Sequence, residues 1–203
     1  MIEKGVVLPM FYLPSVEYFV QLKTFKPDIL IEKEEHYPKQ TYRNRAHIYS
    51  PDGVLVLTVP VTKGPKNHTI IKDVKISYGF EWQRLHWLSL QACYRSSAYF
   101  EYYEDVLSPF YEKKYTYLFD YNQQLLSFIL KALKLKMELR FTDNYEADYP
   151  MLTDCRNSMS TKKEPDSDQK KYYQVFEQRK GFIKNLSIID LLFNQGPQAV
   201  NYL

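Results

Sequence analysis

Cysteine is nearly missing: Cys93 and Cys155 are the two in 203 residues, and no C-x-x-C or metal-ligand spacing relates them. This excludes a disulfide framework and a cysteine zinc site. Glycine is scarce too, and the six glycines are scattered, so no glycine-rich loop marks a dinucleotide or nucleoside triphosphate site. No apolar run approaches the roughly 20 residues that span a bilayer. The start, "MIEKGVVLPMFYLPS", lacks an apolar segment with a small-residue cleavage site, so the expected location is the cytoplasm. Net charge is small as well. With 27 basic and 24 acidic residues the balance is +3, too little to argue nucleic acid binding from field alone.

Hydrophobic residues at 45% and charged residues at 25% suit a globular chain, and the length suits one domain over residues 1–203. The unusual component is aromatic: 19 tyrosines and 12 phenylalanines. Tyrosine serves equally as half-buried packing and as a stacking surface with a hydroxyl, so abundance leaves both uses open.

Local patterns place the elements. "GVVLPMFYLP" reads as a strand entering a turn, and "PSVEYFVQLKTF" as a helix with Pro14 near its first turn. "DILIEK" reads as a second strand. In "AHIYSPDGVLVLTVPV" two apolar runs bracket Ser-Pro-Asp-Gly, which predicts a β-hairpin over about 43–61. "TIIKDVKIS" alternates as a half-buried strand does. From "EWQRLHWLSLQACYRSSAYF" the period shifts toward 3.6, with Trp82, Leu85, Leu88, Ala92 and Tyr99 as the expected apolar stripe. Ser108-Pro109 then opens an expected long helix, "SPFYEKKYTYLFDYNQQLLSFILKALKL". Weak patterning at about 153–170 predicts a mobile loop. In "NLSIIDLLFNQGPQAVNYL" Ser187 and Asp190 form a capping-box variant before a helix that Gly196 stops. The expected fold is α+β, a β-rich N-terminal half followed by a mainly helical C-terminal half.

Four groups of residues carry possible chemistry. If "HYPKQTYRNRAHI" is extended, Lys39, Thr41, Arg43, Arg45 and His47 share one face, while Tyr42 and Asn44 lie on the other. Arginine's planar fork suits a carboxylate or phosphate, so the row could capture an anionic ligand. The competing reading pairs one arginine with a carboxylate from "EKEE" or with Asp73 and leaves the rest solvated. In "EWQRLHW", Trp82 and His86 are four apart on one helix face, as a general base tuned by burial would be, or a core-edge histidine bonded to a carbonyl. Cys93 follows two turns later, on the order of 10 Å along the axis and out of reach, which favours a small buried thiol. Glu101, Glu104 and Asp105 suit the approach to the next helix as well as acid–base work.

Taken in order, "LPSVEYF", "YPKQTYRNR", "LTVPV", "IKDVKIS" with the Trp and His after it, "FEYYEDVLSPFYEKKYTYLFDYN" and "NLSIIDLLFNQGP" resemble the WbqC-like protein family of bacteria. The resemblance runs from about residue 6 to the C-terminus. It implies a role linked to O-antigen and other surface-polysaccharide assembly, with no fixed reaction. It also places a histidine at His86, which becomes the candidate acid or base. Many members begin with a His-Gln-Pro motif; here Leu8 stands where that histidine falls.

Together these readings point to a group transferase in surface-polysaccharide or related metabolite assembly. Its substrate is a small anionic molecule or carrier-bound group, such as a nucleotide-sugar or an acyl-carrier adduct. Arg43, Arg45 and Lys39 would hold it, Tyr42, Asn44 and Trp82 would position it, and His86 would serve it. The alternative, favoured by Leu8, is a non-catalytic binding or accessory protein on the same fold.

Overall fold

Val6-Val7-Leu8-Pro9 is apolar at every position, the pattern of a strand covered on both faces, and all four side chains are buried. The computed structural model describes residues 5–62, 68–161 and 169–203. In it β1 (Val6–Pro9) leads through α1 (Val16–Thr24) to β2 (Ile29–Glu32), a parallel crossover with Val6 opposite Ile29 and Leu8 opposite Ile31. The hairpin follows as β3 (Arg45–Ser50) and β4 (Gly53–Thr58), with Ser50 opposite Gly53. Gly53 takes φ +114°, the left-handed backbone that the turn reserves for glycine.

Helices fill the next stretch: α2 (Trp82–Tyr94), α3 (Phe100–Leu107), α4 (Pro109–Glu112) and α5 (Leu118–Ala132). Two short strands, β5 (Arg140–Phe141) and β6 (Thr153–Asp154), then precede α6 (Glu177–Lys180), α7 (Ile188–Gln195) and a 3₁₀ stretch over Gly196–Tyr202. β5 pairs with β2 and β6 with β1, all parallel, giving the order β5-β2-β1-β6. The chain is α+β. The expected split into a β-rich half and a mainly helical half is not clean, because the sheet recruits the two-residue β5 and β6 from the second half.

Four local expectations are corrected. The segment "TIIKDVKIS" does not run as one strand: Ile71–Asp73 forms a 3₁₀ turn. The cause is a change of partner, since Ile70 bridges His36 while Lys75 bridges Tyr117 and Ile76 bridges Val61. The long helix from Ser108 is interrupted. Lys113 turns extended, and Leu118 N–H donates to the Val74 carbonyl (2.8 Å) while Ile76 N–H donates to Thr116 (3.0 Å). Tyr115-Thr116-Tyr117 prefer that extended pairing to a helix. On α2 the stripe is turned: Leu85 and Leu88 are 53% and 46% exposed, and Trp82, His86, Leu90 and Cys93 face inward. Finally, Ser187 does not cap α7. Its hydroxyl donates to the Leu13 carbonyl (2.8 Å).

Asp190, expected to complete that cap, is instead a buried hub. Its carboxylate accepts from Tyr94 (2.9 Å), Tyr172 (2.7 Å) and Gln174 (3.1 Å), joining α2, α7 and the segment before α6. Of the stretch expected as a loop at about 153–170, Thr153–Asp154 form β6 and Arg156 is buried. Residues 162–168 of that stretch lie outside the described residues.

Candidate functional site

α2 turns Trp82 and His86 inward on one face, one helical turn apart, with ring centroids 5.1 Å from each other. His86 is 6% exposed. Its Nδ1 lies 2.9 Å from the Tyr12 hydroxyl, and that hydroxyl lies 3.2 Å from the hydroxyl of Tyr111 on α4. Burial lowers the imidazole pKa to about 4, partly offset by a hydrogen bond to the Thr58 backbone that favours a proton on the ring. A ring proton directed at that backbone leaves Nδ1 as acceptor, so Tyr12 donates to His86 and Tyr111 is free to donate to Tyr12. Burial also raises the Tyr12, Tyr111 and Tyr121 hydroxyls above their ordinary range, so all three keep their protons.

Beside this chain of hydroxyls a cleft of about 220 Å³ opens at the N-terminal end of α2. Tyr78, Phe80, Trp82 and Tyr111 supply aromatic walls, and Arg84 and Lys114 supply positive charge. Lys114 is held with its Nζ 5.3 Å from the centre of the Tyr78 ring. Gln83 ties the two sides together, its Nε2 donating to the Phe110 and Lys113 carbonyls (3.2 and 2.7 Å). Tyr78 does the same by accepting from Tyr115 N–H (2.7 Å) and donating to its carbonyl (3.0 Å). Trp82 and Tyr111 thus belong to both the cleft wall and the cluster around His86. Among the described residues eight buried side-chain atoms have no hydrogen-bond partner, and Trp82 Nε1, the Tyr121 hydroxyl and Arg45 Nε are three of them.

The polar row of residues 36–48 does not converge on this cleft. The strand begins at Arg45, because residues 39–44 form turns and a bend, so the alternation stops short of Arg43. Arg43 is 2% exposed and paired with Glu35 through Nε–Oε1 (2.6 Å) and Nη2–Oε2 (2.7 Å); Nη2 also donates to the Arg156 carbonyl (3.1 Å). Tyr42 is buried between Phe11 and His47, with centroids 5.5 and 5.3 Å away. Asn44 donates to the Val59 carbonyl (2.9 Å). Lys39 is exposed, and Arg45 and His47 are half-buried on the hairpin face that carries Val56 and Thr58.

The carboxyl ends of parallel strands, where open α/β sheets commonly take ligands, are filled by the chain's own charges. Glu32, ending β2, is 0% exposed and accepts from Thr142 (2.7 Å), Glu34 N–H (2.8 Å) and Arg156 (3.2 Å). Arg156 also grips Asp154, which ends β6, with Nη2–Oδ2 at 2.5 Å, and its guanidinium lies over the Tyr145 and Tyr149 rings at 5.1 and 4.9 Å. Leu8 is wholly buried in β1 opposite Ile31, inside the sheet. Cys93 is buried and free, and burial pushes its thiol up to about 11, so it stays protonated and a poor nucleophile. Among the described residues no group of three His, Cys, Asp or Glu side chains is arranged to hold a metal ion.

Sequence reasoning named Trp82 and His86, and the fold brings them together. It missed Tyr12, Tyr78, Phe80, Arg84, Tyr111 and Lys114. A legible signal existed in "GFEWQR", where exposed aromatic and basic side chains open a helix. Lys114 and Tyr111 arrive from an element no local pattern links to it.

The family follows from the match over residues 10–162 and 165–202: the chain belongs to the WbqC-like protein family. It is 29% identical over 227 residues to the uncharacterised protein Rv1507c of Mycobacterium tuberculosis, covering 99% of this chain and 97% of that one. No solved structure matches it. No helix among the described residues is long and apolar enough to cross a membrane.

Proposed function

We propose that the protein is a group transferase acting on a small anionic substrate, a nucleotide-sugar or a carrier-bound group, in surface-polysaccharide or related metabolite assembly. The substrate enters the cleft at the start of α2. One observation supports this above the rest: the hydrogen-bonded series His86–Tyr12–Tyr111 ends on a residue that lines a cationic, aromatic cleft. A neutral imidazole behind two protonated tyrosines can take up a proton that a substrate hydroxyl passes inward. Arg45, with an unpartnered Nε, and Lys39 remain candidates for a more distant part of the substrate. Arg43, Tyr42 and Asn44 act by shaping the turn that precedes β3.

The accessory reading has its own support. Both sides of the His86 ring are hydrogen-bonded within the fold, as a structural histidine would be. Thermal-shift screening against nucleotide-sugars, coenzyme A and acyl-carrier adducts, repeated with Tyr111→Phe and His86→Gln, separates the two. A transferase gives ligand stabilisation in all three proteins and turnover only in the parent. Ligand stabilisation with no turnover in any of them leaves a binding protein, and no stabilisation by any anionic compound discards the cleft.

A further inference from the structure

We infer that the cleft at the start of α2 recognises a single ring carrying one anionic group, a phosphate or a carboxylate, with the ring against Phe80 and Tyr78 and the anion between Lys114, Arg84 and the first turn of α2. This rests on the reading of the cleft as the substrate site and specifies what part of the substrate it holds. At about 220 Å³ it is smaller than the roughly 300–1,000 Å³ typical of pockets that enclose drug-sized ligands. One ring with its charged substituent fills it, and the remainder of a larger substrate lies outside.

The chemistry of the lining selects that fragment. Phe80, 53% exposed, offers an uncovered aromatic face beside Tyr78 and Trp82. Arg84 lies 3.8 Å from Glu81 in an exposed ion pair, so with Lys114 the lining carries one net positive charge, an excess that matches one anion better than a string of phosphates. Glu81 precedes the helix without capping it, and Leu85 N–H makes the first intrahelical bond, to Glu81 (3.1 Å). The Gln83 and Arg84 amides therefore stand in the first turn with no intrahelical acceptor, at the positive end of a thirteen-residue helix. The independent sign of a missing ligand is Trp82. Trp82 is among the residues that line the cleft, it is 1% exposed, and its buried Nε1–H lacks any acceptor. A donor buried without a partner is costly, and a ligand oxygen supplies the acceptor once the side chains that cover Nε1 shift to admit it.

The chain has two tryptophans, Trp82 and Trp87, so its indole N–H signals are easily assigned with a Trp87→Phe variant. The test titrates ¹⁵N-labelled protein with phenyl phosphate, glucose 1-phosphate, benzoate and inorganic phosphate, with phenol and glucose as neutral controls. The expected result is a downfield shift of the Trp82 indole proton with the ring-bearing anions and binding by them at least about tenfold tighter than by the neutral rings or by phosphate alone. Phenyl phosphate against glucose 1-phosphate tells a flat ring from a hydroxylated one. Lys114→Ala and Arg84→Ala, both at exposed positions, each weaken binding about tenfold without unfolding the protein. Stabilisation by nucleotide-sugars with an unmoved Trp82 signal, or binding indifferent to Lys114 and Arg84, overturns this assignment while leaving the transferase reading in place. Failure of every anionic compound overturns both.

Discussion

Arg43 meets Glu35 in a two-point pair, 2.6 and 2.7 Å, with side chains 3% and 9% exposed. Burial pushes the Glu35 carboxyl up even though Arg43 pulls it down, so desolvation exceeds the pairing. Removing one partner is therefore worse than removing both. Arg43→Ala should lose about 3–5 kcal/mol in urea unfolding, because a buried carboxylate is left alone. Arg43→Met combined with Glu35→Leu should recover most of that loss. A double variant as unstable as the single one would show that the pair itself stabilises the turn before β3.

Two buried groups should hide each other's pH dependence. Burial raises the Asp190 carboxyl to about 6, outweighing its three hydrogen-bond donors, and lowers His86 to about 4. An unfolded aspartate titrates near 3.9, so between about pH 4 and 6 the folded state holds more of the Asp190 proton and stability falls as pH rises. An unfolded histidine titrates near 6.5, so between about pH 6.5 and 4 the folded state holds less of the His86 proton and stability falls as pH drops. Each effect is on the order of 3 kcal/mol, and over about pH 4–6 they oppose. Stability of the parent protein should therefore be nearly flat there. Asp190→Asn should expose a rise in stability from pH 4 to 6.5, and His86→Gln a fall over the same range. Denaturant unfolding at half-unit pH steps reads both slopes, and parallel curves for all three proteins would contradict the assignment.

Gly196 marks a close approach. Its φ is +54°, and a Cβ built there would lie within 2.6 Å of three Tyr99 ring carbons (Cδ1, Cε1 and Cγ), too close for any real contact. Backbone and packing object together, so Gly196→Ala should cost about 2–4 kcal/mol by thermal or urea unfolding. Tyr99→Ala added to it should restore part of the loss by vacating the space. This places the glycine of "NQGP" in the fold, whatever the ligand.

These contrasts indicate what the chain alone could reveal. β1, α1, β2 and the hairpin were legible because runs of apolar residues meet turn residues whose φ demands are specific, as at Gly53. β5 and β6 were not, since two residues carry no period and their pairing comes from the sheet. The break at Lys113 was hidden because its cause is the Val74–Ile76 segment, some forty residues earlier. Within the site, Trp82 and His86 were legible from their four-residue spacing. Arg43 was legible only as a choice: its charge suited a ligand, and the competing pairing with a carboxylate of "EKEE" is the one the fold holds, with Glu35 across a turn that alternation could not follow. Lys114 and Tyr111 reach the cleft by tertiary packing, which no local pattern encodes.

The rotation of α2 gives the last test, because the inward placement of Trp82 and His86 depends on it. The sequence stripe made Leu85 and Leu88 core positions, yet they are about half exposed while Leu90 is fully buried. If the observed face is correct, Leu85→Lys and Leu88→Lys should each change stability by less than about 0.5 kcal/mol. Leu90→Ala should cost about 2–5 kcal/mol through lost contacts and the cavity it leaves. Were the stripe correct instead, a lysine at 85 or 88 would bury a charge and unfold the protein outright. A large loss at Leu88 with a small one at Leu90 would turn His86 outward, away from Tyr12, and remove the hydrogen-bonded series on which the proposed proton path depends.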